Sequence, residues 1–520
     1  MPEAHFFDKL LIVPVFNLLR QSFYQDSVTL MRLTRDLESL PGVERASAMM
    51  GTPHNRELLR EAGLLTAEGE RAAATDLIIA VIADERQNAE RAQAAAEAAL
   101  TTRRETEAST SGWRPRTLEG ALRALPGANL ALISVPGEYA GAEAHRALDA
   151  GLHVMLFSDN VPLDTEIQLK RFAVERDLFL MGPDCGTAIV DGVPLGFANA
   201  VPRGRIGIAA ASGTGLQEVS VLVALAGEGV SQAIGLGGRD LTDQVGGLMA
   251  ERALDALARD SDTTIVCLIG KPPGARVATR LEERVAALGK PCVVHFAGER
   301  ASGAFEHAAA TLEETADLAV ALARGVPHTR RAFSVSGADV TRMVDDAVRS
   351  MAAGQRFVRG VYAGGTLAYE AITLLSARLA GVAAEPTGGG TGHRVVDLGD
   401  DRFTVGRPHP MIDGTLRREW IETEGRDPET AVLLLDVVLG YGAHPDPAGE
   451  LVPAIERAVS SARATGRSLA VVASVCGTDR DPQSRAAQVA ALRRSGVAVM
   501  PSNAQAARLA ALIGERRAGR

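Results

Sequence analysis

Short, continuous apolar runs separated by helix-forming stretches constrain this chain more than any other feature. "DLIIAVIA", "NLALISV", "HVMLF", "LFLMG", "RIGIAAA", "TIVCLIG", "PCVVHFAG", "VLLLDVVLG" and "LAVVASV" recur from one end to the other. A strand with one wet face alternates polar and apolar residues. A strand that is apolar throughout has helices over both faces, which predicts parallel α/β layers. At 520 residues the chain exceeds the roughly 250–300 that one core serves, so two to four domains are expected. Polar, proline- or glycine-bearing punctuation lies at Thr101–Arg116, Ala198–Arg205 and Ala321–Gly337. These stretches predict an N-terminal α/β region over 1–115 and a Rossmann-like domain completed by 116–201. Two doubly wound, flavodoxin-like domains follow over 202–325 and 326–520.

Charge and cysteine usage narrow the function classes. The net charge is −9 with no basic block, so nucleic acid is not an expected partner. No apolar run reaches the roughly 18–20 residues that span a bilayer. "LLIVPVFNLL" lacks a basic leader and a cleavage site, so it reads as structure. Cys185, Cys267, Cys292 and Cys476 are dispersed and form no CxxC, which fits buried thiols in a reducing cytoplasm. No His, Cys and Asp grouping has metal-ligand spacing, so no metal is expected.

Two glycine-rich strand-to-helix turns carry the chemistry. "GIAAASGTGLQEVS" turns at Ser212, Gly213, Thr214 and Gly215, and "GVYAGGTLAYEAI" turns at Gly364, Gly365 and Thr366. Glycine lets a ligand approach the main chain. The first turn of a helix leaves N–H groups unpaired and adds roughly half a positive charge, which together favour an anion without any lysine. Two such turns aimed at each other would share one phosphate. The segments downstream of the two turns also align: "AIGLGGRD" with "VVDLGDDR", "TTIVCLIGKPPG" with "AVLLLDVVLGYG", and "KPCVVHFAG" with "SLAVVASVCG". Four landmarks in one order predict an internal duplication. Neither a P-loop nor GxGxxG is present.

Further candidates stand in loops. Arg407, His409 and Asp413 in "VGRPHPMIDG" would meet a substrate carboxylate or form a structural clasp. Arg239 in "GGRD" would reach a phosphate or make a strand-end salt bridge. Asp400 and Asp401 are candidate amide or metal contacts, or solvated carboxylates. Asp184 and Cys185 end an expected strand, where open α/β sheets bind ligands. His444 reads as a residue of a helix-start turn.

"GIAAASGTGLQE", "IGLGGRD" and "KPCVVHFAGERASGAFEHAAA" resemble the α subunit of succinyl-CoA synthetase and other NDP-forming acyl-CoA synthetases. Over nearly its full length the chain resembles the FdrA family, through "SAMMGTP", "LFSDNVPLDTEIQLK", "MGPDCGTAI", "VYAGGTLAYEA", "DLGDDRFTVGRPHPMIDGTLR", "LLLDVVLGYGAHPDPA" and "GTDRDPQ". The resemblance implies a CoA-binding-type Rossmann domain followed by two succinyl-CoA synthetase ligase-type domains. It implies two helices meeting head-on at a phosphate, the first at Ser212–Gly215 and the second at Gly440–Ala443, thus including Gly440 and Gly442, with Gly364–Thr366 as a further candidate. A phosphoryl-carrying histidine would correspond to His307, although both glycines that flank it in the synthetases are gone. The CoA-site turn would correspond to Gly51, Thr52 and Pro53, with CoA a further candidate ligand beside phosphate and no nucleotide site evident in this chain.

The FdrA resemblance also implies a role in ureide and purine-nitrogen breakdown, as a subunit of an oxamate carbamoyltransferase. That activity converts oxalurate and phosphate to oxamate and carbamoyl phosphate. Two alternatives stay open: an acyl-CoA ligase subunit that uses phospho-histidine and borrows a separate ATP-grasp chain, and a non-catalytic subunit that binds CoA or an acyl phosphate. Each implies a small acyl or carbamoyl ligand, partner subunits, an oligomer and a cytoplasmic setting.

Overall fold

The computed structural model describes residues 15–23, 25, 27–110, 115–298, 305–384, 392–404 and 408–519. The chain divides into two compact units, the first reaching residue 126 and the second beginning at 127.

The first unit departs from the parallel layers expected of it. Strands β1 (Val15–Arg20), β2 (Val43–Met50) and β3 (Leu77–Ala83) form a sheet ordered β1-β3-β2, and both pairings are antiparallel. Helices α1 (Ser27–Glu38), α2 (Pro53–Glu61) and α3 (Arg86–Thr110) accompany them, and α4 (Leu118–Ala124) closes the unit. β3 is apolar throughout because it is central and covered twice. Leu77, Ile79 and Val81 pack with Leu30, Leu33, Ala89 and Ala92 on one face, and Ile78 and Ala80 with Leu59 and Leu64 on the other. Burial of both faces produces a continuous apolar run whatever the strand direction, which is why "DLIIAVIA" reads as parallel.

The second unit is α/β with parallel sheets. It opens with β4 (Leu130–Ile133), α5 (Gly137–Asp149), β5 (His153–Leu156), α6 (Leu163–Glu175) and β6 (Leu180–Met181), three strands in parallel. This sheet is distinct from that of the first unit, so residues 1–201 do not share one sheet. The hairpin β7 (Thr187–Val190) and β8 (Val193–Gly196) joins the next sheet rather than this one.

Two repeats follow. The first comprises β9 (Arg203–Ala210), α7 (Gly213–Leu225), β10 (Val230–Gly235), α8 (Leu248–Arg259), β11 (Ile265–Gly270), α9 (Ala275–Ala286), β12 (Cys292–Phe296), β13 (His307–Ala308) and α10 (Leu312–Arg324). After α11 (Gly337–Val348), the second comprises β14 (Phe357–Tyr362), α12 (Gly365–Ser376), β15 (Arg394–Asp397), α13 (Asp401–Thr404), α14 (Thr415–Arg426), β16 (Thr430–Val438), α15 (Pro447–Ala464), β17 (Ala470–Cys476), α16 (Arg485–Arg494), β18 (Ala498–Met500) and α17 (Asn503–Ala518). The sheets run β13-β12-β11-β9-β10 and β18-β17-β16-β14-β15, the same order with every one of these pairs parallel. Numbered within each repeat, that order is 2-1-3-4-5, a doubly wound arrangement whose ligands sit beyond the carboxyl ends of the strands. The duplication read from four aligned landmarks thus has a matching topology.

Candidate functional site

β9 delivers the chain to Ser212 and β14 delivers it to Gly364, the residues that begin α7 and α12. Ser212 is extended and its Oγ accepts from Gly215 N at 2.9 Å, an ordinary N-cap. Gly364 has no side chain with which to cap α12. The two helix starts face each other. Ser212 Oγ lies 2.5 Å from Thr366 Oγ1, and a Cβ added to Gly364 would meet Thr214 Cγ2 at 3.0 Å. Six of the expected ligand-contacting residues therefore stand at or beside one junction, Ser212, Thr214 and Gly215 from the first turn and Gly364, Gly365 and Thr366 from the second. Gly213 opens α7 beside them.

The electrostatics of the junction are uneven. Asp436, on β16, is fully buried behind α12. Its Oδ2 accepts from Gly364 N at 2.8 Å, its Oδ1 from Ala363 N at 2.9 Å, and Arg417 Nη2 lies 2.8 Å from Oδ1. Burial pushes its carboxyl up, and Arg417 with the two amides opposes that. Asp397, at the end of β15, accepts from Gly399 N at 2.9 Å through Oδ1, while its Oδ2 stands 2.6 Å from where a Gly365 Cβ would be. Burial pushes the Asp397 carboxyl up to about 6, with Asp436 and Asp400 adding to the rise and Lys271 offsetting part of it. His409 Nδ1 accepts from Met411 N at 3.2 Å, which leaves a neutral ring its proton on Nε2. Burial pushes this histidine down to about 4, helped by Arg417, so it is neutral at pH 7. Its Nε2 is 2.7 Å from where a Gly399 Cβ would sit.

Behind the junction the repeats hold each other by equivalent carboxylates. Glu218 on α7 accepts from Asn503 N at 3.0 Å, at the start of α17. Glu370 on α12 accepts from Leu312 N at 2.8 Å, at the start of α10. Each glutamate thus caps the last helix of the opposite repeat. Both are buried, and burial pushes Glu218 up to about 7 and Glu370 upward.

Other expected residues lie elsewhere. Gly440 does not start a helix: α15 begins at Pro447, capped by Asp446. The Gly440 N–H meets Gln483 Oε1 at 3.3 Å, so it is not a free donor. Its φ is 137°, and an added Cβ would meet Phe197 O at 2.2 Å, while one on Gly442 would meet the Phe197 ring at 2.9 Å. Glycine serves close backbone packing at this turn. His307 lies on edge strand β13 opposite Val293, in a row that runs through Cys267 to Ile208. Ser212 is three strands across, about 14 Å, and four residues further along, about 13 Å. That separation removes His307 from the junction. The sequence of this stretch reads as a helix, yet His307 is in a strand and α10 starts only after Thr311.

Arg239 is taken up by Glu166, with Nε 2.8 Å from Oε2, and by Val161 O at 2.8 Å. The same Glu166 meets Lys170 Nζ at 2.9 Å, which also meets Asp240 Oδ1 at 2.8 Å, all buried. This network clasps α6 to the first repeat, and Arg239 belongs to it. Asp184 is exposed, with φ 56°. The Cys185 thiol is buried and pushed up to about 12 by desolvation, so it is no nucleophile at neutral pH. His444 Nδ1 accepts from Asp446 N at 3.0 Å, within a helix-start turn. Asp400 pairs with Arg402. Gly51, Thr52 and Pro53 belong to the first unit, where Thr52 caps α2 through Asn55 N and Pro53 is its first residue, so they do not form a turn of the β4-β5-β6 sheet. Arg407 lies outside the described residues.

Three contributors escape the sequence reading, although two of them leave a signal there. Asp436 is the one charged residue in "VLLLDVVLG", and Asp397 precedes the pair of aspartates singled out in "DLGDD". Thr187 gives no signal. It is 1% exposed, its Oγ1 has no hydrogen-bond partner among the described residues, and that atom is the one a Gly213 Cβ would meet, at 3.5 Å.

A duplicated, doubly wound α/β protein with opposed helix starts is the class that fold and site define. The CoA-ligase family profile matches residues 361–513, and the profile described as "AllF, heavy metal-associated domain" matches residues 14–115. The uncharacterized protein YahF of Escherichia coli is 39% identical over 95% of this chain and 97% of its own length. The succinate–CoA ligase [ADP-forming] α subunit of Aquifex aeolicus is 30% identical over 33% of this chain, a match spanning 57% of that relative. The chain belongs to the same family as YahF, and its residues 361–513 form a CoA-ligase domain. A dinucleotide-forming acetyl-coenzyme A synthetase 1 from Ca. Korarchaeum cryptofilum superposes with a TM-score of 0.29 at 15% identity, covering 75% of this chain and 83% of that one. Residues 14–115 contain no cysteine, and among the described residues no group of His, Cys, Asp and Glu is arranged to hold a metal ion.

Proposed function

We propose that this chain is a subunit of a phosphate-dependent carbamoyl or acyl transferase of the FdrA type, acting with partner subunits in ureide breakdown. The observation that carries the reading is the opposition of α7 and α12, which brings the N–H-rich starts of two helices to one place. Phosphate attack on a carbonyl needs an anion held beside a carbon whose oxygen gains negative charge. Helix-start amides serve both needs, because they favour the anion and stabilise the charge that develops. For oxalurate, a hydrogenphosphate oxygen would bond to the ureido carbonyl carbon. The C–N bond to the oxalyl half would then break, and the proton of the hydrogenphosphate would pass to the leaving nitrogen. The products are carbamoyl phosphate and oxamate. Holding the reactants together supplies much of the rate. No phosphoryl-histidine is needed, which agrees with the remoteness of His307. The AllF-type match of the N-terminal unit supports the ureide setting.

The match of residues 361–513 to the CoA-ligase profile favours a second reading, a ligase subunit that forms a CoA thioester with a separate nucleotide-binding chain. In that reading CoA is the cofactor. The experiment is to supply the chain and its co-expressed partners with oxalurate and phosphate and measure carbamoyl phosphate. Formation of carbamoyl phosphate without CoA or ATP is the expected result. A CoA- and ATP-dependent thioester, with no carbamoyl phosphate, overturns the proposal and leaves the second reading.

A further inference from the structure

The two helix starts that meet at the junction are not chemically equivalent. On the α7 side stand Ser212, Gly213, Thr214 and Gly215. Beneath Gly213 lies the Thr187 hydroxyl, 1% exposed and without a hydrogen-bond partner among the described residues. A buried hydroxyl left unpaired costs free energy, so an oxygen ligand there would restore what folding removed. On the α12 side stand two carboxylates. Asp436 is spent, since its oxygens hold the Ala363 and Gly364 amides and Arg417. Asp397 is only half spent: Oδ1 holds Gly399 N, and Oδ2 reaches Gly365 at the head of α12. A carboxylate oxygen only accepts at neutral pH, so it repels a phosphate and draws an N–H.

We infer that the junction is polarised: the start of α7, with the Thr187 hydroxyl, takes the phosphate, and Asp397 takes an N–H of a carbamoyl group bonded to it. Asp397 is thereby a specificity-determining residue that selects an amide nitrogen over a methyl group of the same size. The adjacency is short. A Cβ added to Gly365 would meet Asp397 Oδ2 at 2.6 Å, one added to its neighbour Gly364 would meet Thr214 Cγ2 at 3.0 Å, and Thr366 touches Ser212. A phosphate on α7 and a planar carbamoyl group extending toward Asp397 fit that order along the chain. The inference rests on the phosphate-transfer reading and adds the orientation and the class of the group transferred.

Carbamoyl phosphate and acetyl phosphate differ by NH2 against CH3 and test it directly on the full chain by calorimetric titration. Wild-type protein is expected to bind carbamoyl phosphate at least about tenfold more tightly than acetyl phosphate, the effect of a hydrogen bond to a charged acceptor. Equal affinities overturn the inference without any variant. In Asp397→Asn the amide oxygen keeps Gly399 N and turns NH2 outward, so the preference is expected to vanish while the affinity for inorganic phosphate changes less than about twofold. Thr187→Val keeps the shape of the side chain and is expected to weaken phosphate, acetyl phosphate and carbamoyl phosphate alike, by about fivefold. If Asp397→Asn weakens all three equally, the polarity is wrong though the anion site stands. If inorganic phosphate fails to bind wild-type protein at millimolar concentration, the phosphate-transfer reading falls with it.

Discussion

Glu218 is the residue in which position and titration are most tightly joined. It lies 2% exposed and holds the first amide of α17, and burial carries its carboxyl from 4.5 to about 7. A raised acid binds its proton more tightly folded than unfolded, so its contribution is complete below about pH 4.5 and lost as pH climbs toward 7. Against the rise that His409, held down to about 4, gives up to about pH 6.5, Glu218 contributes a fall in the wild-type melting temperature between about pH 5 and 7. Glu218→Gln keeps the acceptor for Asn503 N and is expected to flatten that dependence by roughly 2–4 °C in a pH series of thermal melts. A slope unchanged in the variant would place the titration in other groups. The sequence displays Glu218 and Glu370 within the two turn-and-helix motifs, where the partner that each carboxylate meets lies far away in the chain. Each is the one charged residue of an otherwise uncharged helix, α7 or α12, and that is the only trace its burial leaves in the sequence. Asp436 is more legible, because one carboxylate among strand residues that are otherwise apolar has to find a cation or amides, and here finds both.

Elements explain why some glycines of the sequence belong to a site and others to packing. Gly213 opens α7 with only an ordinary contact in reach, whereas Gly440 has φ 137° and Phe197 O within 2.2 Å of an added Cβ. Gly440→Ala is expected to cost about 2–4 kcal/mol in urea unfolding, from strain in the left-handed region plus a backbone clash. Gly213→Ala is expected to leave stability within about 1 kcal/mol while weakening phosphate binding, because the methyl group fills the approach to the α7 amides. If Gly440→Ala cost nothing, or Gly213→Ala unfolded the protein, the division of roles would be reversed. The repeat read from SGTG and GGT survives as two strand-turn-helix units of matched topology, since turn and strand are both encoded locally. The expected helix start at Gly440 after β16 is displaced to Pro447, where "HPDPAGE" carries the better signal, an aspartate cap followed by proline at the first helical position. His307 is beyond local reading, because a two-residue edge strand depends on the partner strand it pairs with rather than on its own sequence.

In the second unit as a whole, the two repeats are not separate bodies. One core runs from Ile206, Ile208, Leu216 and Val219 of the first to Val358, Leu367, Ala371, Leu434 and Ala507 of the second. The sequence marks a boundary near residue 325 by its polar, proline-bearing stretch, but the joining of the cores is a property of surfaces far apart in the chain. Cross-capping by Glu218 and Glu370 works in the same direction, since loss of either repeat uncaps a helix of the other. Cooperative unfolding of both repeats is the consequence. Trp420, on α14 of the second repeat against Phe403 at 6.2 Å between ring centroids, is a reporter remote in sequence from the first. The other tryptophan, Trp113, is removed by Trp113→Phe. In that background Leu216→Ala, at a fully buried position of the first repeat, is expected to destabilise by about 2–5 kcal/mol. The midpoint read from Trp420 fluorescence should move by that full amount, together with the circular dichroism signal of the unit. A Trp420 transition that stays in place while dichroism shifts would mean that the repeats unfold independently, and a junction made of two independently unfolding halves could not hold the α7 and α12 starts in register.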